Sequence, residues 1–466
     1  MISMTMESSS PREARIKWLK SLILSLLGPI LLLVWQPLGM TFRQTAIVAA
    51  VVLTIIWWTS NLIPKIPASL FLLAIFWLGS GAAPEVVFSF PLSETFPLLI
   101  FTYLFSHAVS TSGLVEKLIA PLLHRIATTP IRLILSMLLV YLATVFLIPQ
   151  PLARLILVTA IFDSYLKETN ASAEAIQVFN FASVLYYILV NMLLTRADLI
   201  MNNAALSFAG ITGMDDLTWL RYMAVPTLVV MFVLTAALFF IFKRELRGSS
   251  LVLKAEHKVQ NNRLTQKEII VLIIVLVTVI LWMTESLHGI SGTWITLAST
   301  VVLFFVGALK WQDLRAIDVN TLVFLSAAFA IGGVLKAIGA ADLLFSHLKA
   351  LFPLPSSPFY FVVMVLITMA IHMLLGSNTT TLSVVIPGLL VAVGDTLAPP
   401  MIMFIAYSSV AYHAILPVHS VAFMIGAEKG LYPPKYVTRF GIFSTFVVYL
   451  SILFLYLPWW RLIGAL

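Results

Sequence analysis

The chain has no cysteine in 466 residues, and only 10% of its residues are charged. The first absence excludes disulfides, thiol catalysis and cysteine-based metal sites. The second excludes an ordinary soluble domain, which carries about 25% charged residues. Several enzyme signatures are missing as well. There is no His-Glu-x-x-His, no Gly-x-Ser-x-Gly, no phosphate-binding loop and no glycine-rich dinucleotide fingerprint. Without a nucleotide site the chain is not a primary pump. A membrane-embedded transferase would need sizeable polar loops, and outside one central linker the loops are short. A channel would need a continuous pore. The expectation is therefore a protein that is not an enzyme.

What is present is apolar. Hydrophobic residues make up 61% of the chain and the mean hydropathy is +1.03. Most of the length falls in runs of roughly 17–25 apolar residues, the span of a bilayer as helix, so about eleven to thirteen membrane-embedded segments are expected. The fold class is all-α and polytopic.

The net charge of +8 reads as topology. Lys243, Arg244, Arg247, Lys254, Lys258, Arg263 and Lys267 fall in one stretch, a cytoplasmic loop by the positive-inside rule. It lacks the interleaved aromatics of a nucleic-acid surface, and no nucleic-acid partner is expected. Arg12, Arg15, Lys17 and Lys20 precede the first apolar run, which reads as an uncleaved span with a cytoplasmic N-terminus in the cell membrane. The loop holding Glu85 and Glu94 is read as external.

The basic stretch divides two similar halves. Trp58 to Pro64 matches Trp282 to His288 at a spacing of 224, and Ser112-Gly113 matches Ile338-Gly339 at 226. On the same offset, Phe146-Leu147-Ile148-Pro149-Gln150-Pro151 falls against Met373-Leu374-Leu375-Gly376-Ser377-Asn378. Both are breaks inside long apolar stretches. Repeated halves with paired broken helices are the mark of a secondary transporter, and inverted repeats with re-entrant hairpins are the expectation. The expected division is 1–42 tail and leading helix, 43–242 first repeat, 243–267 linker and 268–466 second repeat.

Within the second break, Gly376-Ser377-Asn378-Thr379-Thr380-Thr381 is polar between two apolar runs. Irregular polar backbone at membrane depth is tolerated where it is buried in protein or lines a cavity. A seam of small residues between helices is the bland alternative.

Leu281 to Ile290, Trp311, Asp318 and above all Ser377-Asn378-Thr379 resemble the divalent anion–sodium symporter family. The resemblance implies a Ser-Asn-Thr motif at the tip of each of two hairpins, with side chains on the carboxylates of the substrate and nearby backbone carbonyls on sodium. It implies a homodimer that moves a hairpin domain like an elevator against a rigid scaffold. Transport of a small anion, a dicarboxylate, tricarboxylate or sulfate-like ion, is the expected function. The partners are that anion and the lipid bilayer. Sodium is the expected coupling ion, and no other cofactor is expected. Another permease of the wider superfamily, a cation/proton antiporter or oxyanion permease, is the alternative.

The first motif is replaced by Pro149-Gln150-Pro151-Leu152-Ala153-Arg154, and neither Thr-Pro-Pro-Asn element of the family is present. Substrate contacts are expected from Ser377, Asn378, Thr379, Thr380, Gln150, Arg154, Arg196 and Asn203, and a sodium site from Gly376, Ser377 and Asn378. An arginine inside an apolar run is costly and usually faces a cavity or a counter-ion. Arg154 either supplies fixed positive charge, as a surrogate cation or by gripping the anion with its forked guanidinium, or it snorkels to an interface or pairs structurally with a carboxylate such as Asp163. Arg196 and Asp198 are close enough in sequence to pair. Asp198, His372, His413 and His419 are the coupling candidates, since histidine titrates near physiological pH. The bland reading of the histidines is hydrogen bonding within the bundle. His288 is read as a loop cap and Asp395 as a loop residue.

Overall fold

A computed structural model describes residues 11–465 apart from 61, 213, 248–249, 255–263, 351, 356 and 358. Met1–Ser10 and the linker residues Lys258 and Arg263 lie outside the described residues. Among those described, the chain is all helical apart from one isolated bridge, Thr169 with Leu253. Six helices are long and apolar enough to cross a bilayer, and a pair bent by 56° makes a seventh. The remaining apolar helices are shorter and come in pairs.

In order, the helices that matter are α1 (Pro11–Trp35), α2 (Phe42–Ser60), α3 (Lys65–Gly79), α4 (Thr95–Thr111) and α5 (Leu114–Ile126). Then come α6 (Pro130–Leu147), α7 (Pro151–Lys167), α8 (Ala173–Asn191), α9 (Met201–Phe208) and α10 (Asp216–Ile241). The second half follows with α11 (Gln266–Met283), α12 (Gly292–Phe305), α13 (Val319–Ala337), α14 (Ala340–Lys349) and α15 (Phe359–Leu375). It closes with α16 (Asn378–Val393), α17 (Pro399–Val410), α18 (Val421–Glu428), α19 (Lys435–Ser451) and α20 (Leu457–Leu462).

Side-chain contacts fix which helix ends share a face. Lys117 of α5 pairs with Glu268 of α11 at 2.8 Å, and His124 with Glu168 beyond α7 at 2.7 Å. Arg439 of α19 pairs with Glu245 beyond α10 at 2.5 Å. These ends adjoin the basic linker and define the linker face. Arg221 near the start of α10 donates to the carbonyl of Ile463 beyond α20 at the opposite face. Lys349 pairs with Asp395 at 2.9 Å and Tyr360 bonds Thr396 at 2.5 Å, so the end of α14, the start of α15 and the end of α16 share one mouth.

Chain direction follows. Helix α4 ends at Gly113 beside Glu268 on the linker face. Thr293 at the start of α12 bonds the carbonyl of Glu94 at the other end of α4, so α12 runs toward the linker and α13 away from it. Hairpin α6–α7 therefore enters from the linker face and hairpin α15–α16 from the opposite face. The repeats are inverted. Helices α8–α9 and α17–α18 are the matching broken spans, and α1 stands ahead of the first repeat, packed on α2.

Two apolar cores hold this frame. One joins the hairpins and broken spans. The other joins α2, α3 and α13 with part of α4. Large apolar side chains face outward along α1, α10 and α11, as lipid contact requires.

Candidate functional site: two hairpin tips and two broken helices

Each tip is a helix N-terminus preceded by irregular backbone. At tip 1, Gln150 caps α7 by accepting the amide of Ala153 on its side-chain oxygen. Its own amide donates to the hydroxyl of Ser106 on α4 at 2.9 Å. Gln150 is buried, and its capping oxygen is spent on the helix. Tyr103 lies close by, buried, with no hydrogen-bond partner for its hydroxyl.

Arg154 sits one turn inside α7 with no solvent exposure. Its guanidinium donates to the carbonyl of Ile148 in tip 1 at 2.9 Å and to the amide oxygen of Asn191 at 2.7 Å. It also donates to the carbonyl of Ala197 in the first broken span, and its plane lies over the Tyr187 ring. The Nε hydrogen has no acceptor. Among the described residues no carboxylate forms an ion pair with it. Asp163 pairs with Lys167 and Asn180 instead, so the structural pairing with Asp163 is not made. Asn191 bridges the guanidinium to Asp198, its amide lying 3.4 Å from that carboxylate.

The first broken span is knotted by Asn202. Its amide donates to the carbonyls of Asn191 and Leu194 at 2.9 Å and of Thr195 at 3.3 Å, and its oxygen accepts from Tyr407 at 2.7 Å. The Asn191 carbonyl closes α8 and is of the kind that a helix end leaves without a partner. Asp198 accepts the amides of Ile200 and Met201 and starts α9. Asn203, next to the knot, is half-buried.

The pairing of Arg196 with Asp198 is not found. Arg196 binds Asp216 at the start of α10 at 2.5 Å, reaches the carbonyl of Trp282 at 3.3 Å and lies over that indole. Asp198 is taken by backbone amides, and a side chain on a tight turn reaches outward more easily than back to a neighbour two residues on. Arg196 thus ties the first broken span to α10 and α11.

At tip 2, Gly376 adopts φ +61°, a left-handed turn that favours glycine. Ser377 caps α16 and accepts the Thr380 hydroxyl at 3.1 Å. Thr380 is fully buried, while Ser377, Asn378 and Thr379 are half-buried. The Asn378 amide reaches Met201 of α9 at 3.8 Å and the carbonyl of Ala411 in the second broken span at 3.5 Å. The buried Asn378 oxygen has no partner. An oxygen ligand of this kind suits a hard cation such as sodium.

Behind tip 2 stand three histidines. His372 bonds Thr381 at 3.1 Å and the carbonyl of His413 at 2.8 Å, so its Nε2 carries the hydrogen there. His419 accepts the amides of Ile415 and Leu416 on Nδ1. His413 is buried, and neither ring nitrogen has a partner. Among the described residues no three His, Asp or Glu side chains could hold a metal together. His288 bonds Leu281 and the amide of Ile290 in its loop, and Asp395 is an exposed loop residue.

Opposed re-entrant hairpins meeting broken spans are the layout in which secondary transporters place their substrate and ion sites. The sodium:sulfate symporter transmembrane region matches residues 15–466, nearly the whole chain. The chain belongs to the sodium:sulfate symporter family. It is a multi-pass membrane protein of a sodium-coupled anion transporter family, with an anion as substrate and sodium as coupling ion. No individual curated protein matches it.

Sequence reasoning marked Arg154 and tip 2 but passed over Asn191, Ser106 and Tyr407. Asn191 is a buried amide at the end of an apolar helix, a signal of the same kind as Arg154. Ser106 and Tyr407 act through partners 44 and 205 residues away, and no local pattern announces them.

Proposed function

We propose that this symporter carries a small divalent anion, sulfate or a dicarboxylate, bound between tip 1 and tip 2. Hairpins and broken spans move as one body past the scaffold formed by α2, α3, α4, α12 and α13. The single observation that supports this reading best is the unequal chemistry of the tips. Arg154 lies fully buried behind tip 1 with its guanidinium on neutral acceptors, and the Asp198 carboxylate stands one amide bridge away. Tip 2 offers the hydroxyls of Ser377 and Thr379 and the amide of Asn378, which bind an anion without adding charge. Gly376, Ser377 and Asn378 supply oxygens for sodium, Asn203 lines the approach, and the buried Gln150 and Thr380 brace the two tips. Arg196 orders the first broken span. The repeats occupy 43–242 and 268–466, and the protein works as a homodimer in the cell membrane with its N-terminus and linker cytoplasmic.

The test is uptake of labelled sulfate and succinate into proteoliposomes, with and without an inward sodium gradient. Sodium-stimulated uptake of either ion, lost in Asn378→Ala, is expected. Uptake unaffected by Asn378→Ala would remove tip 2 from the site. The unpartnered His413 supports a second reading, in which protons share the coupling. Uptake driven by a pH gradient without sodium, and lost in His413→Ala, would favour it.

A further inference from the structure

Two prolines border a groove on the outer side of the molecule. Pro226 stands inside α10, and Pro458 lies at the start of α20. Proline has no amide hydrogen, so Pro226 leaves the Tyr222 carbonyl without its helical donor. The Trp460 indole donates to that carbonyl at 2.9 Å, and the Trp459 indole donates to the carbonyl of Arg221 at 2.8 Å. A widened turn, Ile452–Tyr456, joins α19 to α20 just before Pro458. Alongside these contacts runs an open groove of about 340 Å³, lined chiefly by Val225, Pro226, Val229, Phe454, Pro458 and Leu462. Four of these side chains are exposed, as are Phe232 and Phe240 further along α10, so the groove faces lipid.

The lining is apolar, and cations stand at one end of it. Arg221 lies one turn before Val225 and Arg461 one turn after Pro458, so each stem shares a helix face with the groove. Both arginines are exposed. Arg221 donates to the carbonyl of Ile463 at 2.8 Å, which brings it to the end of α20. Among the described residues neither forms an ion pair. Asp216, the nearest carboxylate in sequence to Arg221, is held by Arg196, and no acidic residue lies between Glu428 and Arg461. This end belongs to the face away from the linker, where the positive-inside rule places few basic residues. Two unpaired arginines there call for an anion, and Trp459 beside them is of the residue type that marks the headgroup level.

We infer that the groove seats one anionic phospholipid, with an acyl chain along Val225, Val229 and Phe454 and the phosphodiester between Arg221 and Arg461. Basic pockets between membrane helices bind lipid headgroups, and a guanidinium grips a phosphate through paired, charge-assisted hydrogen bonds. The arginine stems lie along the apolar wall while their heads reach the headgroup level. A zwitterionic lipid offers the same phosphate but adds a cation beside two arginines, so the site favours a lipid of net negative charge. The consequence reaches the first broken span through α10. Asp216 holds Arg196, and the Trp219 indole donates to the carbonyl of Met192 at 2.8 Å. Both contacts fasten the break to the turns of α10 that precede Arg221. A lipid that steadies these turns steadies the break, so anion uptake depends on it. The lipid site stands apart from the transport reading above, and only its effect on uptake rests on that reading.

The test uses the full chain in a neutral detergent, with phosphatidylglycerol and phosphatidylcholine of matched chains as probes. Native mass spectrometry should show phosphatidylglycerol retained in preference to phosphatidylcholine, and the melting temperature should rise with phosphatidylglycerol alone. Both effects should be lost when Arg221→Gln and Arg461→Gln are combined. They should also be lost in Val229→Trp, which fills the groove and keeps both arginines. Leu228→Trp, on the same helix outside the groove, should keep them. In proteoliposomes, phosphatidylglycerol should raise sodium-driven sulfate uptake several-fold over phosphatidylcholine alone in the wild type and not in the double variant. Equal retention of the two lipids, or retention unchanged in the arginine variant, overturns the site. Retention lost with the arginines but kept in Val229→Trp overturns the groove as the seat. An equal thermal shift from inorganic phosphate overturns the lipid in favour of a free ion. Should the double variant fail to fold, Val229→Trp against Leu228→Trp decides. Lipid retained by a chain that takes up no anion leaves the site standing and removes the substrate reading. Uptake equal in both membranes, with the lipid retained, overturns the link to the break.

Discussion

Arg154 shows why residue type matters more than charge at a buried site. Its guanidinium ties Ile148, Asn191 and Ala197 together, and a planar fork can bridge acceptors that a point charge cannot. Arg154→Lys should therefore lose most anion uptake although the charge is kept. Arg154→Ala leaves buried acceptors without donors, at about 1–3 kcal/mol for each group. It should lower the melting temperature in detergent as well as abolish uptake. Uptake by Arg154→Lys at the wild-type rate would reduce Arg154 to a fixed charge. The sequence exposed this residue because arginine between apolar runs is costly. It could not say what the guanidinium binds, since Ala197 lies 43 positions on. Arg196 was misplaced for the same reason, its carboxylate partner being 20 residues away rather than two.

At the scale of elements, the first broken span is held by a polar knot rather than by a breaker such as proline. Asn202 satisfies carbonyls of Asn191, Leu194 and Thr195 and meets Tyr407 of α17. Asn202→Leu, close in volume, should destabilise the protein by about 3 kcal/mol, since several buried groups lose partners together. A melting temperature equal to wild type would mean the break holds without it. The sequence placed the neighbouring Asn203 among the substrate contacts, because the type of an asparagine does not tell whether it meets a ligand or ties a helix break. Helix starts at the surface obey simpler rules. Asp215 caps α10 through the amide of Thr218 at 2.8 Å, and bonds from Thr218 hold its carboxyl below the usual range. Asp215→Ala should cost about 1 kcal/mol. Because the folded carboxyl is the stronger acid, this contribution is present above the unfolded pKa and fades as pH falls through the folded one. The gap between wild type and Asp215→Ala should close in acid, and a gap constant with pH would exclude the cap.

The whole molecule was legible as a repeat before it was legible as an inverted one. Offsets of 224 to 227 aligned the tips and the two closing glycines, and Gly113 and Gly339 share a left-handed turn. Sidedness could not be read, because it depends on contacts between distant helix ends such as Lys117 with Glu268 and Lys349 with Asp395. The halves have also diverged in chemistry. In the first, backbone carbonyls at the tip and the break already receive Arg154. In the second, the Asn378 oxygen is unpartnered and the amide lies 3.5 Å from the Ala411 carbonyl, a weak contact. A cation bound at the second tip gains the Asn378 oxygen, which nothing else uses, whereas one at the first tip must displace a guanidinium. Sodium should therefore act through the second repeat, and uptake should rise with sodium at a Hill coefficient near unity. Asn378→Ala should raise the sodium concentration for half-maximal uptake, and Gln150→Ala should leave it unchanged. A steep sodium dependence, or equal sensitivity of both tips, would mean that the first half still binds sodium beside its arginine.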